Sequence, residues 1–308
     1  MFVNMIYRIK KKFPKINGKT LSDIVVLFYK STPKRYGLNK RRRKKKVIIS
    51  LTSIPSRIDT TWITVESILR QNYRPDKIIL WLGEEQFKNI KIPDTLLEQK
   101  RRGLEIRFCK DIGPYTKIIY TLEEYPEDII ISVDDDIIYA NSLVRLLVEA
   151  YTRNQDCICA HRTHWIGIRN NGFPTRYNRW TWYQSRKDVG SRNKEVRSER
   201  NFLTGVGGVL YPPHSLYKDV LKRELFLKLS PKADDIWLYI MAIMNQTDIV
   251  NVKGIYGNLV SIVDEQNNVQ QTALLKENVL RGRNDEYMEN ILNYYGTNLK
   301  NIIGDCDQ

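Results

Sequence analysis

Three consecutive aspartates, Asp134, Asp135 and Asp136, close an apolar, β-branched run that includes Ile129, Ile130, Ile131 and Val133. Such a run reads as a buried parallel strand, and carboxylates at its end sit where open α/β sheets bind ligands. Adjacent acids repel one another. The pattern therefore asks for a cation that takes oxygen ligands, Mg²⁺ or Mn²⁺, and through it for a phosphate-bearing substrate. An acidic turn after a strand is the plainer alternative, since Asp is a common turn residue. A second acidic pair, Asp234 and Asp235, opens a segment that is apolar all round to Ile240 and is expected to be a buried helix. Carboxylates in a first helical turn complement the helix dipole, and neighbouring helical residues diverge by about 100°, so only one of the two can face a given cleft. Between the acidic groups lies Thr204-Gly205-Val206-Gly207-Gly208-Val209. Its glycines allow close backbone approach or mark a bulge; the spacing is not that of a phosphate-binding P-loop.

The elements that must hold these residues follow from periodicity. Residues 47–54 read as a first strand closed by Pro55, and Ile58, Trp62, Val65, Ile68 and Leu69 recur at helical spacing before Pro75. A second strand at 78–82 completes a βαβ unit, which requires a parallel sheet. Further strands are expected at 104–108 and 157–161, with a helix between 142 and 153, short strands near 249–252 and 259–263, and a terminal helix near 285–295. Residues 165–202 mix Trp165, Phe173, Tyr177, Trp180, Trp182 and Tyr183 with Arg169, Arg176, Arg179, Arg186, Arg192 and Arg197 in no clear period, and read as a long loop for ligand recognition or as a surface insertion.

The formal charge of +15 is unevenly distributed. Residues 1–46 carry sixteen Lys or Arg and a single acid, Asp23, while the other thirty-four basic and thirty-four acidic residues cancel. The excess thus belongs to an N-terminal arm ending in Lys40-Arg41-Arg42-Arg43-Lys44-Lys45-Lys46, and a partner for it is a question about that arm. An anionic membrane surface is one expectation, a solvated tail or an acidic protein partner another. No apolar run approaches the roughly 18 residues that span a bilayer, and the first residues lack the pattern of a secretory signal. The protein is expected in the cytoplasm, at most peripheral on the inner face of the membrane. Four cysteines suit that view, because Cys157-Ile158-Cys159 has neither zinc-knuckle nor redox spacing.

Taken in order, the residues 132–136, 204–209 and 233–238 make the chain resemble bacterial nucleotide-sugar glycosyltransferases of the GT-A fold, of the family 2 type that builds surface polysaccharides. The resemblance implies a Rossmann-like α/β fold with a mixed, mostly parallel sheet flanked by helices. It divides the chain into the basic arm 1–46, a catalytic domain 47–265 and a helical extension 266–308. It further implies Mn²⁺ or Mg²⁺ held by Asp136 with Asp134, and a donor, UDP-linked by default, against Thr52, Arg57, Glu84, Lys117, Asp134, Asp135, Gly207 and Gly208. Asp235, or its neighbour Asp234, would be the base that deprotonates a glycan or lipid-linked acceptor in an inverting transfer. The pair often reads Glu-Asp in the family, which leaves the choice between the two neighbours open. A histidine ligand near the C-terminus has no counterpart unless His214 serves. Two rivals stand beside this reading: a nucleic-acid-binding protein using the basic arm and the Arg/aromatic segment, which leaves the aspartates unexplained, and a catalytically inactive GT-A scaffold.

Overall fold

The computed structural model describes residues 2–13, 18–34, 36–182, 195–252, 260–262 and 282–304. Thirteen strands lie among them: β1 (Val47–Thr52), β2 (Lys77–Gly83), β3 (Leu104–Cys109), β4 (Ile129–Ser132), β5 (Ile137–Ile138), β6 (Ile158–Ala160), β7 (Thr163–Trp165), β8 (Thr181–Trp182), β9 (Val196–Ser198), β10 (Asn201–Leu203), β11 (Val209–Tyr211), β12 (Ile249–Asn251) and β13 (Val260–Ser261). Eight form one sheet in the order β3-β2-β1-β4-β11-β6-β12-β9. The first four strands run parallel, β11 runs antiparallel to both β4 and β6, and β12 is parallel to β6 and antiparallel to β9. This is the mixed, mostly parallel sheet flanked by helices that the GT-A resemblance implied.

Both faces of the sheet are covered, as parallel strands require. Side chains alternate across the pleat, so Ile49, Leu51 and Ile131 enter one core with the helices Ile58–Leu69 and Leu143–Arg153, while Ile130 enters the other. That second core is built on the helix Asp234–Met244, whose Ile236 to Ile243 are all buried. The helices Arg223–Leu229, Arg283–Tyr294 and Leu299–Ile303 close over it.

Three segments pack closely into the rest of the fold. The N-terminal segment is a separate region by charge but not by packing. Val3, Ile6 and Tyr7 of the helix Phe2–Lys12, and Leu21, Val25 and Tyr29 of the helix Gly18–Ser31, repeat at three- and four-residue spacing and are buried in the main core. The buried Tyr7 hydroxyl donates to the Ile138 carbonyl at 2.6 Å. At the other end, Met288, Ile291, Leu292, Leu299 and Ile303 are integral to the second core rather than an appended extension. Segment 165–202 is not one long loop: β10, β7 and β8 form a three-stranded sheet, with residues 183–194, and with them Tyr183, Arg186 and Arg192, outside the described residues. Tyr177, Trp180 and Phe202 pack together there in tilted and edge-to-face pairs, with ring centroids 4.6–5.9 Å apart.

Truncating the buried Ile6 is expected to cost about 2–5 kcal/mol, the usual range for removing a buried branched side chain. The check is the urea midpoint of Ile6→Ala against the full-length chain. An unchanged midpoint would mean that the N-terminal helices add nothing to the core.

Candidate functional site

The three aspartates leave the sheet just beyond β4, in a turn whose backbone is fixed from several sides. Thr64 Oγ1, on the helix behind, donates to the carbonyls of Asp135 and Ile137, both at 2.8 Å. The Ile262 N–H donates to the Asp136 carbonyl at 2.9 Å. The Asp134 N–H donates to the Tyr139 hydroxyl at 2.9 Å, and that hydroxyl donates to the Val206 carbonyl, tying the acidic turn to the glycine-rich one.

The three carboxylates then meet different fates. Asp135 is buried and held by Arg57, Nη2 at 2.8 Å from Oδ1 and Nε at 3.0 Å from Oδ2, with the Ser53 hydroxyl donating at 2.5 Å. Burial raises its pKa, and Arg57 and Ser53 oppose the rise. Asp136 is also buried, but Arg57 reaches it only at 3.7 Å. Burial first, then the charges of Asp135 and Asp134, push its carboxyl up to about 7. Asp134 is partly open and accepts from Lys117 Nζ at 3.0 Å.

Lys117 joins the two acidic groups. It ends the 3₁₀ turn Gly113–Lys117, and the Tyr115 hydroxyl of that turn donates to the Ser230 carbonyl at 2.7 Å, docking it on the approach to the helix Asp234–Met244. The Lys117 ammonium lies 2.9 Å from Asp234 Oδ2 as well as against Asp134. Burial disfavours its charge, but Asp134, Asp234 and Asp235 outweigh burial and hold it well above the usual lysine range. A Cβ on Gly205 would come 2.7 Å from this Nζ and 3.0 Å from Asp235 Oδ1, so a side chain there would push the ammonium or the carboxylate aside. The same residue's N–H donates to both Asp235 oxygens, at 3.0 and 3.1 Å.

The neighbours Asp234 and Asp235 therefore divide as their helical positions require. Asp234 is buried against Lys117, whereas Asp235 keeps part of its surface open. Burial and then the Asp234 charge push the Asp235 carboxyl up to about 7, despite Lys117 and the Gly205 N–H.

Of the residues expected at a site, Arg57, Lys117, Asp134, Asp135, Asp136, Asp234 and Asp235 form one linked cluster. Gly207 and Gly208 belong to the neighbouring turn: a Cβ on Gly207 would meet Arg162 at 2.7 Å, and Gly208 takes a positive φ of 85°. Thr52 donates its hydroxyl to the Trp81 carbonyl at 2.9 Å. Glu84 and Glu85 are exposed in the short helix Glu84–Phe87 after β2. His214 is exposed and paired with Glu127, which precedes β4, so it lies toward the opposite end of that strand from Asp136. Sequence reasoning missed Ser53 and Tyr139 as groups that orient the acids, and it missed Arg162; Tyr177 belongs to the segment expected to recognise a ligand. Burial lowers the Arg162 pKa, opposed by Tyr177, Asp235 and Asp134, which places these groups within electrostatic reach of one another. Only the position of Arg162, two residues beyond β6, could have signalled it.

Among the described residues no three or more His, Cys, Asp or Glu side chains are arranged to hold a metal ion by themselves. The donors present nonetheless fit a hard cation bound by one or two carboxylates and completed by phosphate oxygens and water, the usual mode for Mg²⁺.

Neither a protein-family model nor a curated protein matches the chain. Among solved structures, it is similar to glucosyl-3-phosphoglycerate synthase from Mycobacterium tuberculosis, in complex with Mn²⁺, UDP and glucosyl-3-phosphoglycerate, at 15% identity over 38% of this chain and 43% of that one, with a TM-score of 0.31. It is also similar to a CMP:2-keto-3-deoxy-manno-octonic acid synthetase complexed with CTP (12% identity, 76% of this chain, 99% of that one, TM-score 0.43). A third is TarS 1–349 of S. aureus (10% identity, 68% and 59%, TM-score 0.44). The chain thus spans under half the length of the first of these. With scores below 0.5, none of these likenesses bears on what the chain does.

Removing the ammonium in Lys117→Met should leave Asp134 and Asp234 without their shared cation and cost about 3–5 kcal/mol near neutral pH, the range for breaking a buried pair. Asp234 is raised mainly by burial, with Lys117 opposing, so its pKa rises further in the variant. A carboxyl raised in the folded state favours folding when protonated. The deficit relative to the unmodified chain should therefore be largest above that pKa and shrink as pH falls. Denaturant titrations across pH test this, and a deficit constant with pH would contradict it.

Proposed function

We propose that this chain is a metal-dependent glycosyltransferase that moves a sugar from a nucleotide-sugar donor, UDP-linked by default, to a hydroxyl of a glycan or lipid-linked acceptor in surface polysaccharide synthesis. The observation that carries the reading is the convergence of two acidic groups on Lys117, with one carboxylate of each group, Asp136 and Asp235, pushed up to about 7. Two carboxylates with distinct surroundings at a strand edge suit two separate roles.

On the donor side, Asp136, with Asp134 beside it, would hold Mg²⁺ or Mn²⁺, which when bound supplies charge stabilisation to the departing nucleoside diphosphate. Arg57 is committed to Asp135 at 2.8 Å and reaches Asp136 only at 3.7 Å, which leaves Asp136 the freer of those two carboxylates to take the ion. On the acceptor side, Asp235 is the general base. Both its oxygens are oriented by the Gly205 N–H, its surface is partly open, and a pKa near 7 suits proton removal from a hydroxyl near neutral pH. Asp234 is the positioning partner, neutralised by Lys117. A single base opposite the leaving group suits direct displacement, hence inversion at the anomeric carbon.

Turnover at saturating donor should fall about tenfold per pH unit below pH 7 and level off above it, because Asp235 must be ionised to accept the proton. Asp235→Asn should lower kcat by about 10²–10⁴-fold while leaving donor affinity nearly intact, and Asp234→Asn should be milder. Full transfer by Asp235→Asn together with loss in Asp234→Asn would reverse the assignment.

Asp136→Asn is expected to keep the fold and lose metal-dependent nucleotide binding. Titration calorimetry of UDP with Mn²⁺ reads this directly, and equal affinity in the variant and the unmodified chain would remove Asp136 from the metal site.

A further inference from the structure

The N-terminal helices bury one face in the core and present the other to solvent. On and beside that outer face, Met5 is 47% exposed, Phe13 51%, Ile24 41% and Leu27 66%, a dense set for so short a segment. The basic side chains Arg8, Lys12 and Lys30 are exposed among them. In the run that follows, Arg43 is held by Asp76, but Arg41, Arg42 and Lys44 to Lys46 are exposed. Single apolar side chains at a surface are ordinary. Here they coincide with the segment that holds the whole +15 of the chain and only one acid.

We propose that the outer face of these two helices, with the basic run 40–46, seats the protein on an anionic lipid bilayer. Shallow insertion of Ile24 and Leu27 below a layer of lysines and arginines is how an amphipathic surface helix binds lipid, and positive side chains near an anionic leaflet add attraction that apolar contact alone lacks. A nucleic acid would match the charge but leave the aliphatic side chains exposed. An acidic protein surface would match neither Leu27 nor Ile24. The opposite, buried face anchors the helices in the core near the acidic turn. Tyr7 bonds to the Ile138 carbonyl, two residues beyond Asp136, and β13, paired with β5, packs on the helix Gly18–Ser31.

The test is co-sedimentation of the full-length chain with vesicles. Binding is expected to phosphatidylglycerol-containing vesicles at low salt and not to pure phosphatidylcholine. Raising the salt should lower the bound fraction about tenfold, as should Ile24→Glu combined with Leu27→Glu. Both positions are exposed, so the double variant should melt with the unmodified chain, which separates lost binding from lost folding. Failure of the folded full-length chain to bind anionic vesicles overturns the proposal. So does equal binding by the double variant, which would leave a purely electrostatic contact, or displacement from vesicles by RNA at equal charge, which would assign the basic run to nucleic acid.

Discussion

Five carboxylates, from Asp134, Asp135, Asp136, Asp234 and Asp235, share one edge of the sheet with two cations in close ion pairs, Arg57 and Lys117. That imbalance governs the site. Arg57 takes Asp135 closely and Asp136 at a longer distance, while Lys117 takes Asp134 and Asp234. Asp136 and Asp235 are left with the least close pairing to these cations, and burial first, then the neighbouring carboxylates, push both up to about 7. Such an arrangement works against the stability of the fold and persists because its surroundings fix it: Thr64 pins the acidic turn, Tyr139 joins it to the glycine turn, and the Gly205 N–H fixes Asp235.

The antiparallel strand β11 is what brings the parts together. Because β11 runs against β4, with Val209 opposite Ser132, the residues that precede it lie beside the end of β4 where the aspartates begin. A parallel β11 would carry Gly205 to Gly208 to the opposite edge, away from both acidic groups. The glycines then meet what the site needs, since neither the Lys117 ammonium nor the Arg162 backbone leaves room for a side chain. The helix Asp234–Met244 starts at the same edge, so its first-turn carboxylates face the turn instead of solvent.

Much of this was legible in the sequence for local reasons. Strand β4, the helix after β1 and the buried helix at Asp234 each declare themselves through a short period and a composition that no alternative element satisfies. What was not legible depends on distant partners. Arg57 and Lys117 read as donor contacts, yet each is committed to carboxylates up to 117 positions away, Lys117 to Asp234 being the longest step. The direction of β11 is set by a pairing that three residues of strand character cannot encode. The N-terminal segment misled because its charge dominates its composition, while the buried stripe of Val3, Ile6 and Tyr7 is brief enough to pass unnoticed beside sixteen basic residues. The aromatics around Trp180 became a packed sheet edge through contacts with Phe202 and, beyond it, Tyr239, which no local period announces.

The commitment of Arg57 and Lys117 has a consequence for any phosphate-bearing ligand. A diphosphate adds negative charge to a cleft that already holds more acids than close cations, and withdrawing either basic side chain toward the ligand would strand a buried carboxylate. The compensating charge must then arrive with the ligand or come from Arg162, whose guanidinium lies within electrostatic reach of Asp134 and Asp235. A divalent cation meets the first condition, and Asp136, which Arg57 reaches only at 3.7 Å, is where such an ion would gain most from the protein. On the proposed reading Arg162 would meet the second, since it lies within electrostatic reach of Tyr177, Asp235 and Asp134. On the proposed reading, the same electrostatic accounting would separate a donor half around Asp136 from an acceptor half around Asp235.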